Sequence, residues 1–353
     1  MLITRTPVRI SFVGGGTDQP EFYREYGGAV ISAAINKYFY TVLTIRDDDL
    51  VQVISSDLKA MVEVERIRVD AYEGELKIPM AVIKHLGLRR GVNLFLASEI
   101  PPGTGLGSSA AVCVNVVRAL WELQGRQHSK YELAEEAFRI AREILGAPVG
   151  KQDEYAAAFG GINEIRFAAK SVEVDRLEMP EQVVEALERR VLLFFTGNQR
   201  NSYEILSEQR RLSLDRDSKV LSALQGMSGL VRDAREALLC GDLDRFGEIL
   251  DAGWQQKKQI SGRISSSEVD LAYEEARRRG AIGGKLAGAG GGGFFMLITR
   301  EGSQSSVREA LASRGMKEMS FHFDLHGSRV VYNDPLFDSN GRGGTRWRFV
   351  PAG

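Results

Sequence analysis

The segment PPGTGLGSSAAV, residues 101–112, places glycine at every second position and then two serines ahead of an apolar run. A glycine-rich turn at the start of a helix leaves several backbone N–H groups without partners, and the helix dipole adds partial positive charge there. Such a place binds phosphate, and a nearby serine hydroxyl can contact a metal ion on that phosphate. The same residues also suit a plain strand-to-helix turn in which Ser108 or Ser109 caps the helix. The segment alone leaves both interpretations open.

Two well-known phosphate loops do not match this segment. The P-loop has a lysine and then Ser or Thr after its last glycine, whereas Gly107 is followed by Ser108 and Ser109. The dinucleotide fingerprint Gly-x-Gly-x-x-Gly follows the first strand of a chain, with an acidic residue about 20 positions later. Here the spacing is Gly-x-Gly-x-Gly, and the segment begins only at residue 101. A nicotinamide dehydrogenase is therefore disfavoured.

Three further segments accompany it: RTPVRISFVGGGTD (5–18), GAPVGKQDEYAAAFGG (146–161) and GGKLAGAGGGGFF (283–295). The last contains four consecutive glycines, Gly290–Gly293, which lose much conformational entropy wherever they are ordered. A flexible linker would tolerate them, but the flanking KLAGA and FFMLI are typical of a core. We therefore expect a backbone segment or a ligand to approach these glycines closely.

The elements around these segments interleave without regular βαβ repetition. Alternating or β-branched runs predict strands at 2–13, 38–45, 50–55, 91–101, 189–197, 292–299 and 328–333, with a hairpin tip at Asp47–Asp49. Apolar spacing predicts helices after residue 107, from a capping box at Ser129 and Glu132 to Gly146, and over about 202–240, 242–261, 265–280 and 303–314. This order predicts an α+β protein whose two domains meet between residues 175 and 190.

The composition indicates a small-molecule partner. In 353 residues, 46 basic side chains balance 47 acidic ones, and the net charge is −1. This balance gives no sign of a nucleic-acid-binding or membrane-binding surface. No run approaches the roughly 18 apolar residues of a membrane span, and the first residues lack a signal-peptide pattern. Cys113 and Cys240 lie in apolar helical runs, so we expect buried, reduced thiols and a cytoplasmic location.

Together, TPVRISFVGGGTD, PPGTGLGSSAAV and KLAGAGGGGFF resemble the three ordered motifs of the GHMP family of small-molecule kinases, over nearly the whole chain to about residue 333. GGGTD followed by GKQDEYAAAFGGIN is similar to the branch of heptose 7-phosphate kinases and fucokinases. Galactokinases have an acidic residue and a histidine where Gly15 and Gly16 stand, which disfavours galactose. The resemblance implies the two-domain α+β fold of the family: a ribosomal protein S5 domain 2-like domain (1–185), a ferredoxin-like domain (186–333) and a tail (334–353).

The resemblance also implies a cleft in which ATP and a sugar meet. The glycine loop would wrap the β- and γ-phosphates of ATP, with a hydroxyl of Ser108 or Ser109 near Mg²⁺. Asp153 matches the catalytic base for the attacking sugar hydroxyl, and Arg9 matches the basic residue that steadies this carboxylate and the phosphoryl charge. The implied loop residues are Pro102, Gly103, Thr104, Gly105, Leu106, Gly107, Ser108, Ser109 and Ala110. The implied sugar-side residues are Gly14, Gly15, Gly16, Thr17, Asp18 and Gly150, to which we add Arg200, Gly290 and Gly291.

Several of these residues have a structural alternative. Asp153 could cap a helix that starts near residue 152, and Asp18 could cap a helix over 20–26. Arg9 could form a surface ion pair. The further candidates for a substrate with a second phosphate could instead lie on a solvated helix face; they are Trp254, Lys257 and Lys258.

One position departs from the family pattern. Twelve residues before Asp153, the family's sugar kinases have an acidic Mg²⁺ ligand, and here that position is Ala141. Ala141 could simply extend the apolar face of its helix, and Glu143 lies about 200° around a helix from it. We predict that a serine, the ATP phosphates and water hold Mg²⁺. Metal binding would be weakened and phosphoryl transfer slowed, and Ala141→Glu would raise the activity at limiting Mg²⁺.

The sequence thus predicts an ATP- and Mg²⁺-dependent kinase that phosphorylates an anomeric hydroxyl, first of all that of D-glycero-D-manno-heptose 7-phosphate, giving the 1,7-bisphosphate. Fucokinase, or another sugar-1-kinase, is the alternative within the family. A sugar- or nucleotide-binding sensor with little turnover is the alternative outside it, which Ala141 favours and the intact Arg9 and Asp153 oppose. The expected partners are ATP and a sugar or sugar phosphate. The oligomeric state stays open, a homodimer included.

Overall fold

The computed structural model describes residues 1–69, 73–197 and 202–334. Within these ranges, twelve strands form two sheets and eleven α-helices pack around them. The strands are β1 (Leu2–Val13), β2 (Gly28–Ile45), β3 (Leu50–Ser55), β4 (Ala60–Glu65), β5 (Val92–Ser98), β6 (Ile162–Phe167), β7 (Val172–Arg176), β8 (Val191–Phe195), β9 (Ala281–Leu286), β10 (Phe294–Thr299), β11 (Lys317–Glu318) and β12 (Arg329–Asn333). The predicted α+β class is confirmed.

The predicted helices are present, two more that the sequence analysis did not predict appear at 77–86 and 181–190, and the segment 202–240 contains a break. They are α1 (Pro20–Tyr26), α2 (Lys77–Leu86), α3 (Ser108–Leu123), α4 (Lys130–Arg139), α5 (Gln152–Phe159), α6 (Glu181–Arg190), α7 (Ser202–Leu214), α8 (Ser218–Cys240), α9 (Leu243–Lys258), α10 (Ser267–Arg278) and α11 (Gln304–Ala312). The single helix predicted over 202–240 is wrong, because Arg216 adopts a positive φ and Asp217 caps α8. The capping box of Ser129 and Glu132 is present at α4.

The first sheet is built around the long strand β2. Its strand order is β12-β1-β2-β5-β3-β4, and β6 and β7 extend it beside the first half of β2. The hairpin predicted at Asp47–Asp49 is wrong, because β5 lies between β2 and β3 and pairs with β3 in parallel. The true hairpin of this region joins β3 to β4.

The second sheet has the order β11-β8-β10-β9 and is antiparallel throughout. The chain then returns to the first sheet, where β12 pairs with β1. The predicted second domain of 186–333 therefore does not fit its last strand, which lies in the first sheet. The predicted tail lies outside the described residues from residue 335 onward.

Two apolar cores hold these layers together. In the first, α8 and α9 pack against the first sheet, and the rings of Phe12 and Phe246 meet edge to face at 5.4 Å. In the second, α10 and α11 cover the second sheet around Phe295 and Tyr273. Helix α9 contributes Phe246 to the first core and Trp254 to the second, so it links the two cores.

The two cysteines differ in exposure. Of the two cysteines, Cys113 is buried as expected, but Cys240 is exposed, because it ends α8 beside the helix-terminating Gly241. None of the helices in the described ranges has the length and apolarity that crossing a lipid bilayer requires.

Candidate active site

Arg9 and Asp153 form a two-pronged ion pair at the cleft. Arg9 points from the middle of β1, and Asp153 stands in the first turn of α5. The Arg9 Nε and Nη2 atoms donate to the two Asp153 carboxylate oxygens at 2.6 and 2.5 Å. The Arg9 side chain is 3% exposed and that of Asp153 is 28% exposed. The surface-pair alternative for Arg9 is therefore wrong, and Asp153 presents its carboxylate to the cleft instead of capping α5.

The glycine loop closes on the same arginine. Arg9 Nη1 donates to the carbonyl of Gly105 at 2.7 Å, and the Arg9 backbone N–H donates to Leu106 at 2.9 Å. Gly107 then caps α3 with a left-handed φ of 76°, so neither serine is the cap residue. The first N–H groups of α3 have no acceptor within the helix. The loop therefore aims an N-terminal helix dipole at the cleft beside Arg9 and Asp153.

The third glycine segment, residues 287–293, lies directly behind this loop. A Cβ atom at Gly105 would lie 2.5 Å from the Ala287 carbonyl oxygen, and one at Gly293 would lie 2.3 Å from that of Thr104. Phe294 N–H donates to Thr104 O at 3.0 Å. The close approach expected of these glycines is therefore made by backbone.

Asp18 organises the start of α5. Its carboxylate accepts from the Gly16 N–H at 2.9 Å and from the Gln152 N–H at 3.1 Å, so it does not cap α1, whose cap residue is Gln19. Burial, and then the charge of Asp153, raise the pKa of Asp18. A Cβ atom at Gly150 would lie 2.1 Å from the Asp18 carboxylate. Asp18 and the Gly14–Thr17 turn thus fix α5 relative to β1.

A cavity of about 590 Å³ lies in front of these groups. Its lining includes these residues singled out in the sequence: Arg9, Gly15, Gly16, Asp18, Pro102, Gly103, Ser109, Ala110, Cys113, Ala141, Gly150 and Asp153. The second sheet's side of the cleft contributes Tyr203, Leu206, Gln209, Lys257, Gly288 and Ala289. The structure therefore brings residues from all four quoted segments to one cavity: PPGTGLGSSAAV, RTPVRISFVGGGTD, GAPVGKQDEYAAAFGG and GGKLAGAGGGGFF.

Other predicted residues lie behind the wall of this cavity. Thr17 is fully buried, and its hydroxyl bonds the backbone of Gly14 and Ala29. Gly290 and Gly291 pack against Ile264. The remaining members of this group are Gly14, Thr104, Gly105, Leu106 and Gly107, which shape the wall without lining it. Arg200 lies outside the described residues.

A second cavity of about 420 Å³ adjoins the first along the glycine loop. Pro102 and Ser109 line both cavities, and Ser108 lines only the second. Its walls are largely apolar and come from Phe39, Leu58, Leu76, Ile78, Leu96, Ile100 and Val112. This is the kind of surface that takes a flat, apolar ring.

The charges inside the cleft are closely coupled. Lys257 is 5% exposed, and its Nζ donates to the Gly288 carbonyl. Burial, and then the charge of Arg9, lower its pKa to about 8, although Asp18 and Asp153 act in the opposite direction. Behind it, Lys285 donates to Phe12 O at 3.2 Å, and burial and Lys257 hold its pKa well below the usual range. Of the other helix α9 candidates, Trp254 is core and Lys258 faces Asp270.

Sequence reasoning missed Glu154, which follows Asp153 and lines the same cavity. Burial, and then the charge of Asp153, raise the pKa of Glu154 well above its usual range. Burial also raises the pKa of the neighbouring Cys113 thiol, and the Glu154 charge adds to this effect. The signal was present in the quoted motif GKQDEY, where a second acidic residue stands next to Asp153.

Ala141 lies in a π-helical turn, Ile140–Ile144, that follows α4. Leu145 N–H donates to Ile140 O at 3.0 Å, and the extra residue per turn shifts the helical phase after residue 140. Ala141 lines the main cavity, Glu143 lines a different one, and Ile144 is exposed. The continuous α-helical spacing that the sequence analysis assumed from Ser129 to Gly146 therefore fails after residue 140. Among the described residues, no three His, Cys, Asp or Glu side chains cluster as a metal site.

Two family models match the chain. The one described as "GHMP kinases N terminal domain" matches residues 76–161, and the one described as "GHMP kinases C terminal" matches residues 234–317. The first match contains the glycine loop and Asp153, and the second contains Lys257 and the third glycine segment.

Similar proteins include sugar kinases with the same organisation. The chain is 32% identical over 330 residues, 92% of its length, to 97% of the D-glycero-alpha-D-manno-heptose 7-phosphate kinase of Campylobacter jejuni. A crystal structure named as a D-glycero-D-manno-heptose 1-phosphate kinase from Bacteroides thetaiotaomicron superimposes with a TM-score of 0.80 at 26% identity, covering 95% of this chain and all of that one. A putative sugar kinase from Campylobacter jejuni superimposes with a TM-score of 0.73 at 30% identity, covering 93% of this chain and 97% of that one.

Proposed function

The chain belongs to the GHMP kinase family and is an ATP-dependent sugar kinase, and we propose that it phosphorylates the anomeric hydroxyl of D-glycero-D-manno-heptose 7-phosphate. The observation that carries the chemistry is the Arg9–Asp153 pair, which the glycine loop and α5 bring to one edge of the cleft. The acceptor is proposed from the 32% identity to a heptose 7-phosphate kinase and from the buried Lys257 on the acceptor side.

ATP would occupy both cavities. The apolar 420 Å³ cavity suits the nucleoside, because its walls offer contact area for a flat base. The phosphates would then run along the glycine loop to the N-terminus of α3, where backbone N–H groups and the helix dipole favour anions. Ser109 lies where the two cavities join.

The residues around this junction fit a divalent cation that accompanies ATP. The hydroxyls of Ser108 and Ser109 stand in the first turn of α3. Glu154 lines the same cavity as Ser109, and its buried Oε2 atom has no hydrogen-bond partner among the described residues. Oxygen donors of this kind suit Mg²⁺, which is commonly bound by few protein ligands together with substrate phosphates. When bound, Mg²⁺ supplies positive charge that neutralises the phosphates.

Asp153 would act as the base. Its two oxygens are oriented by Arg9, and each keeps a further lone pair that can accept a hydrogen bond from the acceptor hydroxyl. As that hydroxyl oxygen attacks the γ-phosphorus, its proton passes to the Asp153 carboxylate and the bond to ADP breaks. The charged guanidinium of Arg9 lies between this carboxylate and the loop, so it also stabilises charge that develops on the transferred group.

The acceptor would lie between the Gly14–Thr17 turn and α9. Asp18, Gly15, Gly16 and Gly150 line this part of the cavity and offer a carboxylate and backbone groups for sugar hydroxyls. Lys257 adds a cation that a phosphate-bearing sugar would use and a plain sugar such as fucose would not. This difference favours a sugar phosphate as the acceptor.

The test is an ATP-consumption screen over heptose 7-phosphate, heptose 1-phosphate, fucose, galactose, homoserine and mevalonate, with ³¹P NMR of the product. We expect the highest kcat/KM for heptose 7-phosphate and a new phosphate on the anomeric carbon. A higher kcat/KM for fucose would replace the proposed acceptor by the fucokinase alternative. A new phosphate at position 7 of heptose 1-phosphate would reverse the order of the two phosphates.

A further inference from the structure

Glu154 is a buried acidic residue with no partner for its charge. Its side chain is 2% exposed, and its Oε2 atom has no hydrogen-bond partner among the described residues. Burying an ionised carboxylate without a hydrogen bond or a counter-charge costs several kcal/mol. A cation bound beside Glu154 would offset the cost of ionising it.

Arg9, the cation beside α5, is already bound by other groups. Asp153, one residue earlier on α5, takes the Nε and Nη2 atoms of Arg9, and Gly105 O takes Nη1. No Lys, Arg or His in the part of the chain described by the structure is within ion-pair distance of Glu154. The two adjacent carboxylates thus differ: Asp153 is neutralised by protein, and Glu154 is not.

Glu154 and Ala141, the position from which the carboxylate is missing, line the same cavity. Ser109 and Cys113 line it as well. The methyl group of Ala141 leaves that wall without an oxygen donor, whereas Glu154 brings a carboxylate to the same cavity from α5. Ser109 stands one helical turn before Cys113 on α3. Ser109, Ala141 and Glu154 thus line one cavity from three different elements.

We infer that Glu154 is the protein carboxylate that binds the divalent cation of the ATP complex, in place of the acidic residue absent at Ala141. This inference rests on the proposed nucleotide site and does not depend on which sugar is the acceptor. It gives the buried carboxylate its counter-charge and gives the metal one carboxylate, a serine hydroxyl and the ATP phosphates, a donor set that Mg²⁺ accepts. It also replaces the expectation that a serine would be the only protein ligand of the metal.

The experiment measures metal binding without any acceptor. Mn²⁺ serves as the probe, and its affinity for the enzyme–ATP complex is measured by electron paramagnetic resonance. Glu154→Gln keeps the shape of the side chain and removes the charge, and we expect Mn²⁺ affinity to fall about 10-fold or more. ATP affinity in EDTA and the Tm report the nucleotide site and the fold, and neither should decrease, since Gln has nearly the shape of Glu and the Oε2 atom has no hydrogen bond to lose among the described residues.

The double variant Ala141→Glu/Glu154→Gln is the more specific test. It moves the carboxylate from α5 to position 141 of the same cavity, and we expect Mn²⁺ affinity to return to within about 3-fold of wild type, a difference under 1 kcal/mol. Glu143→Gln is the matched control, because that glutamate lies two residues from Ala141 and lines another cavity; it should change nothing.

Two results would overturn the inference. One is unchanged Mn²⁺ affinity in Glu154→Gln, and the other is a double variant that binds Mn²⁺ no better than Glu154→Gln alone. A wild-type enzyme that binds neither ATP in EDTA nor Mn²⁺–ATP would instead reject the proposed nucleotide site. The two failures are therefore distinguishable.

Discussion

The two glycine-rich loops of the cleft, residues 103–107 and 287–293, have similar compositions and different surroundings. A Cβ added at Gly103 would meet no atom within 4 Å. One added at Gly107 would lie 3.3 Å from the side chains of Arg9 and Asp153. In the second loop, a Cβ added at Gly288, Gly290 or Gly293 would meet mostly backbone, that of Gly105, Ile264 and Thr104 respectively. One loop presents N–H groups to a ligand, and the other supports it from behind. Glycine therefore leaves room on the cleft side at Gly103 and Gly107, and it allows close backbone packing at Gly105 and in the second loop.

This difference separates two kinds of damage. A change in the supporting loop should lower the stability of the fold and carry the nucleotide site with it. A change on the cleft side should lower catalysis or binding while the fold stays intact. The four substitutions below test this separation in order of decreasing effect.

Gly293→Ala should have the largest effect. An added Cβ would lie 2.3 Å from Thr104 O, and the φ of 90° is unfavourable for alanine, so we expect the free energy of unfolding to fall by about 3 kcal/mol. Urea denaturation measures the change, and ATP affinity should fall with it. Gly302→Ala is the control, since Gly302 has a φ of 78° and no atom within 4 Å. Equal losses in the two variants would contradict the supporting role.

Arg9→Lys should reduce catalysis without a comparable loss of stability. Lysine cannot make the two-pronged bond to Asp153 and also reach Gly105 O, and we expect kcat to fall about 100-fold. Arg46→Lys is the control, because Arg46 makes a similar two-pronged pair with Asp48 at the surface, with Asp48 half exposed. The account fails at this point if kcat in Arg9→Lys stays within a few-fold of wild type.

Lys257 should make acceptor binding depend on pH. Its pKa of about 8 means that the side chain loses its charge as the pH rises past 8, so the KM for a sugar phosphate should rise about 10-fold between pH 7 and 9.5. The pKa of Lys257 lies below its ordinary value of 10.5. Between about pH 8 and 10.5 the unfolded chain therefore binds more protons than the folded protein, and this residue increases the free energy of unfolding as the pH rises through that range.

Lys257→Met separates this effect from other groups. The variant should show the high KM already at pH 7 and no rise from pH 7 to 9.5. Lys258→Met is the control, since Lys258 faces Asp270 at the surface. A pH profile in Lys257→Met that matches wild type would show that Lys257 is not the group whose titration changes the KM.

Gly103→Ala should have the smallest effect. Its φ of 74° costs about 1 kcal/mol in alanine, and the added methyl group crowds the path of the phosphates, so the KM for ATP should also rise a few-fold. Gly315→Ala has the same backbone requirement with open space around it. It should lose similar stability with no change in KM, and a matching rise in KM there would remove the distinction between the two loops.

Much of the cleft could be predicted from sequence because its parts are local. The glycine loop, the capping box at Ser129 and the strand before the loop each depend on neighbouring residues. The pairing of Arg9 with Asp153 spans 144 positions, and only the resemblance to a kinase family brought these two residues together.

The parts that sequence could not give depend on tertiary contacts. The position of β5 between β2 and β3 is decided by strand pairing across the sheet, and no turn signal at Asp47–Asp49 reveals it. The π-helical turn at Ile140–Ile144 changed which side chains share a face, so the phase assumed for an α-helix failed there. The isolation of Glu154 becomes visible only when Arg9 is seen to be fully engaged by Asp153 and Gly105.

The central claim is that Asp153 accepts the proton of the acceptor hydroxyl during transfer from ATP. The most direct measurement is the single-turnover rate of Asp153→Asn with saturating ATP and heptose 7-phosphate, alongside its affinity for ATP. The account predicts a rate about 1,000-fold below wild type, with ATP affinity kept within a few-fold. A variant that transfers phosphate within 10-fold of the wild-type rate would contradict it.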